Sequence, residues 1–196
     1  LSVAAAFQAW LLAGPLVMGR LYTDDMAALG QVAFALNVLG ILVAVASAFA
    51  SAALPVVSRA SGRSDPRLAR YGAVSLVGVL LLTLPLAALA AWAGGPLVVW
   101  LLGPEFAEAG RFLGPVVLVA GVIIAPTGYG QTLLLAGRRD VAVYASGAGA
   151  LVLVLFMGPA VQFFGPGGAI AAAGAAWGVR ACVQVVWAHR IGLAKS

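Results

Sequence analysis

The sequence predicts an all-α fold, a polytopic membrane helix bundle of about six transmembrane helices. Two observations carry this prediction. First, 63% of the residues are hydrophobic and only 9% are charged, whereas soluble domains are about 45–50% apolar and about 25% charged. Second, the charged residues are grouped between apolar runs of about 20 residues, the length of helix that crosses a bilayer core of ~30 Å. A soluble fold of this size is therefore excluded.

Six apolar runs follow one another and are predicted to span the membrane, at about residues 1–19, 30–57, 71–93, 109–136, 141–164 and 169–188. Together they form a single transmembrane domain, residues 1–196. The chain enters apolar sequence at once from Leu1, without the basic start or cleavage site of a signal peptide, so we expect a fragment of a longer protein.

Glycine and proline predict where these helices end or bend. Gly94-Gly95-Pro96 is predicted to end the third helix, which leaves 97–102 as a short piece along the membrane interface. The stretch from Pro126 to Gly130 predicts a break in the middle of the fourth helix. In the sixth run, Gly174 and Gly178 have the spacing that lets membrane helices approach closely. We expect their face to pack on the helix that carries Gly147 and Gly149.

The charges between the runs predict the orientation of the chain. Basic residues stay on the cytoplasmic side of a membrane, and the densest group lies at 59–70, with Arg59, Arg63, Arg67 and Arg70. The same side then receives Arg138, Arg139, Arg190 and Lys195, whereas the opposite side holds Arg20 and Arg111 beside Asp24, Asp25, Glu105 and Glu108. Both termini of the segment are therefore predicted to be cytoplasmic.

Catalytic chemistry is poorly supported. All six carboxylates lie between the runs, and the chain has one histidine and one cysteine. No acid pair, catalytic triad or metal-ligand cluster can be assembled within the membrane, so the sequence predicts neither an enzyme nor a cofactor. The net charge of +5 is explained by arginines beside spans and not by a nucleic-acid site.

The candidate substrate-binding residues are the polar groups predicted to lie at membrane depth: Arg180, Gln184, Asn37 and Gln131. Polar groups and broken helices at the midplane line cavities in transporters, although amides also form ordinary interhelical hydrogen bonds. Arg180 precedes Arg190 by ten residues, about 15 Å along a helix. It either faces a cavity, where it could bind phosphate with Gln184, or reaches the interface or helix-end carbonyls.

Four stretches resemble, in order and spacing, the C-terminal half of the polysaccharide and oligosaccharide flippases of the multidrug/oligosaccharidyl-lipid/polysaccharide exporter superfamily. The first runs from Ala28 to Leu36, and the second is Leu54-Pro55-Val-Val-Ser58-Arg59. The third is Leu102-Gly103-Pro104-Glu105-Phe106-Ala-Glu-Ala109, and the fourth is Leu135-Ala-Gly137-Arg138 with Phe164-Gly-Pro-Gly167-Gly168-Ala169. The chain departs from the pattern at Met157-Gly158-Pro159, where many relatives carry asparagine.

The resemblance implies one lobe of a two-lobed transporter of twelve to fourteen helices. It would flip a polyprenyl-pyrophosphate-linked oligosaccharide across a bacterial cytoplasmic membrane by alternating access, for polysaccharide biosynthesis. An N-terminal lobe, in the same chain or as a partner, would complete it. The alternatives are a multidrug-type cation antiporter of the same superfamily, a membrane-embedded enzyme of glycan assembly, and a purely structural membrane subunit. Arg180, a cation without a carboxylate near it in sequence, disfavours a cation site; the short loops disfavour the enzyme.

Overall fold

The computed structural model describes residues 26–61, 67–135 and 138–190, and every regular element in these ranges is helical. The elements are α1 (Met26–Ser61), α2 (Arg67–Leu102), α3 (Ala107–Arg111), α4 (Leu113–Ile124), α5 (Thr127–Leu135), α6 (Arg139–Phe164) and α7 (Gly168–Arg190). Short 3-10 turns, Pro104–Phe106 and Gly165–Gly167, precede α3 and α7. The all-α membrane bundle is thus confirmed. The predicted span 1–19 lies outside the described residues.

Four segments of the described chain are long and apolar enough to cross a membrane: Gly72–Leu102, Leu113–Gln131, Arg139–Phe164 and Gly168–Arg190. A shorter apolar segment, Gly30–Ala46, lies in α1. The outward face of α2 carries large apolar side chains, among them Val74, Val77, Leu81, Leu84, Trp92 and Trp100. Such a face suits lipid, since hydrocarbon has no need of polar partners.

Helix α2 corrects one prediction. It continues through Gly94-Gly95-Pro96 to Leu102, so 97–102 belongs to the helix and is not a separate interfacial piece. The reason is packing. A methyl group built on Gly94 would lie 2.6 Å from the Gly110 carbonyl oxygen, so these glycines allow the backbone of α3 to lie against α2. Proline is tolerated in membrane helices when neighbouring groups form hydrogen bonds with the backbone groups that the proline leaves unpaired.

The break predicted in the fourth span is confirmed. Helix α4 ends at Ile124 and α5 begins at Thr127, with Ala125 and Pro126 buried between them. Proline has no backbone N–H to continue the ladder. The Gly130 N–H donates to the Pro126 carbonyl oxygen at 3.0 Å, which starts the new helix.

The main core lies where α1, α4, α6 and α7 meet. Its buried members include Val32 and Leu36 from α1, Val116 and Ile123 from α4, Leu153 and Met157 from α6, and Trp177 from α7. Helix α7 follows α6 as an antiparallel hairpin across the Gly165–Gly167 turn. This packing fixes the position of α7, the helix that carries Arg180 and Gln184.

The Gly174 and Gly178 face does not pack as predicted. A methyl group on Gly174 would lie 3.1 Å from Val119 Cγ2 of α4, whereas nothing described lies within 4 Å of one built on Gly178. Gly174 therefore contacts α4 and not the Gly147 and Gly149 region, and Gly178 makes no close contact with the described chain. The spacing of two small residues did not show which neighbour the helix would have.

Ser146 of α6 gives a prediction about stability. Its side chain is fully buried, and its Oγ has no hydrogen-bond partner within the described part of the chain. Because an unpaired buried hydroxyl is unfavourable by about 1–3 kcal/mol, Ser146→Ala should raise the unfolding temperature in detergent. Thr83→Val is the control, since the Thr83 Oγ1 donates to the Val79 carbonyl oxygen at 2.7 Å. A lower unfolding temperature for Ser146→Ala would show that the hydroxyl has a partner.

Candidate functional site

The bundle has two chemically different ends. At one end the Gln31 amide donates to the Glu105 carbonyl oxygen at 3.2 Å, and the Arg111 guanidinium is paired with Glu108 at 2.8 Å. At the other end, α2 starts at Arg67, α6 at Arg139, and α7 finishes at Arg190. The structure therefore places Glu105 and Glu108 at one end and most described arginines, with Asp140 beside them, at the other.

Aromatic and polar side chains tie the basic end together. The Tyr129 ring lies 6.0 Å from the His189 ring and fits against Gly72. Arg138 lies over the Trp187 ring, 4.9 Å from its centroid, and donates to the Asp140 carboxylate at 2.9 and 3.1 Å. This hydrogen bonding raises the pKa of Arg138 above its ordinary value, so the pair stays ionised.

Arg180 lies within α7, far from either group of loop charges. Its Cζ is 4.7 Å from the centroid of the Trp177 ring, and the Trp177 side chain is buried in the main core. The Arg180 Nε is buried and has no hydrogen-bond partner among the described residues. No carboxylate in the described ranges pairs with Arg180. The structure thus holds a half-buried guanidinium with unused donors inside a membrane segment.

The broken helix lies at the same level as Arg180. Helix α7 runs alongside α4 and α5. Gly174 of α7 lies opposite Val119 of α4, and Gln184 of α7 lies opposite Gly130 of α5. A methyl group built on Gly130 would be 3.5 Å from the Gln184 Nε2. Six residues after Gly174 and Val119 come Arg180 and Ala125. Arg180 therefore lies at about the level of the Ala125-Pro126 break along the bundle.

Two of the predicted amides lie where α5 meets α7, and one does not. Gln184, one turn along α7 from Arg180, is 5% exposed and contacts α5 at Gly130. Gln131 is the next residue of α5 and is also buried. Asn37 is exposed on α1, on the side away from the buried Leu36 and Leu39. The structure therefore places Gln184 against Gly130 of α5, with Arg180 one turn earlier on α7 and Gln131 next to Gly130 in sequence. These three residues are called the α5–α7 cluster, and Asn37 lies outside it.

Comparison with known families decides the class of protein. The MatE family model matches residues 3–160, most of the chain. The chain belongs to the MatE family. No curated protein and no solved structure matches it. MatE proteins are membrane transporters of the exporter superfamily named above, so this MatE chain is a multi-pass membrane exporter component. Its helix α7, with Arg180 and Gln184, follows the matched residues.

Two apolar cavities lie away from this MatE chain's polar cluster. One, of about 420 Å³, lies between α4 and α7 and is lined by residues such as Phe112, Leu118 and Gly174. The other, of about 320 Å³, lies between α6 and α7 beside Phe156 and Ala175. Neither contains a predicted site residue, and apolar linings of this kind offer a phosphate no donor.

Sequence reasoning missed the stacking partner of Arg180. Trp177 was not among the candidate site residues predicted from the sequence, and its side chain is buried in the core. One signal could have been used: Trp177 and Arg180 are three residues apart, which places them as neighbours on a helix surface. The same spacing cannot show that the ring is fixed by three other helices, which depends on the tertiary fold.

The described part of the MatE chain contains no group of three or more histidine, cysteine, aspartate or glutamate side chains that could hold a metal ion. The described carboxylates, Glu105, Glu108 and Asp140, lie at helix ends. What the α5–α7 cluster offers is a cation with hydrogen-bond donors and two neutral amides. Such a set suits a ligand rich in oxygen acceptors.

Proposed function

We propose that this MatE chain forms one lobe of a flippase that moves a polyprenyl-pyrophosphate-linked oligosaccharide across a bacterial cytoplasmic membrane by alternating access. A second, N-terminal lobe would complete the cavity, either in the same polypeptide or as a partner. The observation that carries the substrate class is the guanidinium of Arg180 within a membrane segment, whose Nε has no partner among the described residues. A pyrophosphate group would supply a negative charge and oxygen acceptors, and the described residues offer this guanidinium neither.

The energetics favour a functional arginine. Placing an arginine at the centre of a membrane helix is unfavourable by about 2.5–3.5 kcal/mol on insertion scales, and such residues usually face a cavity or a partner. Arg180 is about 15 Å from Arg190 along α7, half of a ~30 Å core. Stacking on Trp177 offsets part of this unfavourable term but leaves the donors of the guanidinium edge unused.

The multidrug-type antiporter is compatible with the same family membership. A lipophilic cation would be attracted by a carboxylate at membrane depth, and the described carboxylates lie at helix ends. The chemistry of the α5–α7 cluster therefore favours an anionic headgroup. A membrane-embedded glycan-assembly enzyme is less favoured, because MatE proteins are transporters.

A vesicle assay tests the proposal directly. The complete protein is reconstituted into liposomes that contain a fluorescent polyprenyl-pyrophosphate-linked oligosaccharide, and a membrane-impermeant quencher reports flipping. We expect flipping of this lipid and no efflux of a lipophilic cation such as ethidium from parallel vesicles. A lipid with the same tail and a neutral headgroup is the control. Ethidium efflux without lipid flipping would replace the proposal with the antiporter.

The orientation is a prediction with its own test. The arginine-rich end is proposed to be cytoplasmic, since basic residues remain inside. In a Cys182→Ala background, a cysteine at Ser61, the last residue of α1, should react with an impermeant thiol reagent only in inside-out vesicles. A cysteine at Glu105, at the opposite end, should react only in intact cells. The reverse labelling would invert the orientation and the direction of transport.

A further inference from the structure

Two arginines of the described chain stack on tryptophan, and they differ in one respect. Arg138 lies over Trp187 at 4.9 Å, and its Nε and Nη2 donate to the two oxygens of Asp140. Arg180 lies over Trp177 at 4.7 Å, but its Nε has no acceptor within the described residues. The first pair shows a stacked guanidinium whose fork already holds an oxyanion. The second has the same stacking with no oxyanion bound to it, and since its Nε is buried, a ligand would bind through the two terminal Nη groups.

We infer that Trp177 is a positioning residue, which holds the Arg180 guanidinium over its indole face so that the guanidinium edge can bind a phosphate group of the substrate. This inference rests on the proposed function, in which Arg180 meets the pyrophosphate. Trp177 itself touches Arg180 and not the substrate. Its role is to fix the orientation of the Arg180 guanidinium N–H donors before the ligand binds.

The burial of Trp177 makes it a fixed platform. Its side chain is 4% exposed and belongs to the core formed with α1, α4 and α6. Its ring cannot turn away without opening that core, because interiors are close-packed. An arginine side chain on its own has much rotamer freedom to lose on binding, and holding it beforehand strengthens binding.

Stacking leaves the terminal Nη–H donors of Arg180 free to bind a ligand. The attraction between a guanidinium and an aromatic ring uses the flat face of both groups, whereas the N–H donors point outward from the guanidinium edge. A bidentate bond to phosphate needs that edge in a defined plane. Trp177 would thus supply orientation, and Arg180 the charge and the donors.

The affinity experiment uses inorganic pyrophosphate as the probe, titrated by calorimetry into the complete protein in detergent. Trp177→Met keeps an apolar side chain without an aromatic face and should weaken pyrophosphate binding about fivefold to tenfold, the range of a partly desolvated cation–π contact. Trp177→Phe keeps a weaker face and should weaken binding about twofold. It also serves if the methionine variant does not fold.

Two comparisons separate positioning from packing. Trp187 lies on α7, as Trp177 does, and its ring lies under Arg138. Trp187→Met should therefore leave pyrophosphate affinity unchanged. In the Arg180→Ala background, Trp177→Met should cause no additional loss, because residues that act as a unit are not additive. An equal loss in both backgrounds would overturn the inference, as would unchanged affinity in Trp177→Met and Trp177→Phe when Arg180→Ala lowers it.

A spectroscopic arm tests the placement without any ligand. The Arg180 Nε–H resonance is identified by its loss in Arg180→Lys, in protein labelled with ¹⁵N-arginine. The ring current of Trp177 should displace it, and the displacement should disappear in Trp177→Met but persist in Trp187→Met. An unchanged resonance would overturn the positioning role. If the resonance moves but Arg180→Ala binds pyrophosphate normally, the proposed function fails and the stacking stands.

Discussion

Gly110→Ala is expected to destabilise the bundle strongly, by about 1–3 kcal/mol or more. A methyl group at this position would lie 2.5 Å from the Gly95 Cα and 2.7 Å from the Gly94 carbonyl oxygen. These are backbone atoms, so no side-chain rotation can make room. The helices α2 and α3 would have to separate, and the contacts along their shared surface would be lost.

The expected loss of stability is large because Gly110 lies at one end of a long contact surface of small residues between α2 and the helices α3 to α5. Helix α2 runs antiparallel to α3, α4 and α5, with Gly114 against Ala91, Gly121 against Thr83, and Gly128 against Ser75. In a membrane no hydrophobic driving force favours helix association, so close packing carries much of the stability. Displacing one end of this surface weakens the dispersion contacts at the others.

The measurement is thermal unfolding in detergent together with the folded fraction by size-exclusion chromatography. Gly178→Ala is the matched control, because nothing described lies within 4 Å of its added methyl group. Gly178→Ala should unfold at the original temperature or slightly above it, since alanine has the higher helix propensity. Equal stability of the two variants would contradict the close approach of α2 and α3.

The fold class and the helix break could be predicted because each depends on local sequence. Apolar runs and their length define membrane helices, and Pro126 lacks the N–H that would continue a helix. Gly94-Gly95-Pro96 was wrongly predicted to end the helix. The two glycines instead make room for α3, and this contact exists only in the tertiary fold. Gly178 was misassigned for the converse reason, since its spacing suggested a close neighbour, and the described residues place none within 4 Å of it.

The candidate site was predictable in part. Arg180 stood out because a charge far from any span end is unfavourable in hydrocarbon, and Gln184 follows one turn later on the helix. The contact of Gln184 with Gly130 joins residues more than fifty positions apart, and no local pattern encodes it. Asn37 looked equivalent to the other amides, but only the packing of α1 shows that it lies on an exposed face away from the core.

Arg180→Ala is expected to reduce flipping of the pyrophosphate-linked oligosaccharide about 100-fold or more. Hydrogen bonds to charged groups contribute roughly 1.5–3 kcal/mol each, and two such bonds from one guanidinium correspond to a factor of about 100 or more in a rate that depends on them. Arg180→Lys keeps the charge but offers a single point of contact, so it should retain an intermediate rate, about tenfold below the original.

Both Arg180 variants should fold, because removing or replacing a membrane-embedded charge does not open the core around Trp177. Expression and unfolding temperature are measured alongside initial flipping rates in the vesicle assay. Arg138→Ala is the control. This arginine is also stacked on tryptophan, but its donors already bind Asp140 at the basic end. Because surface ion pairs contribute little, the flipping rate should change less than twofold. If Arg180→Ala flips the lipid at the original rate while folding normally, Arg180 is a structural residue. The anionic headgroup would then have to be bound elsewhere, because within the described spans no second arginine lies as far from a helix end.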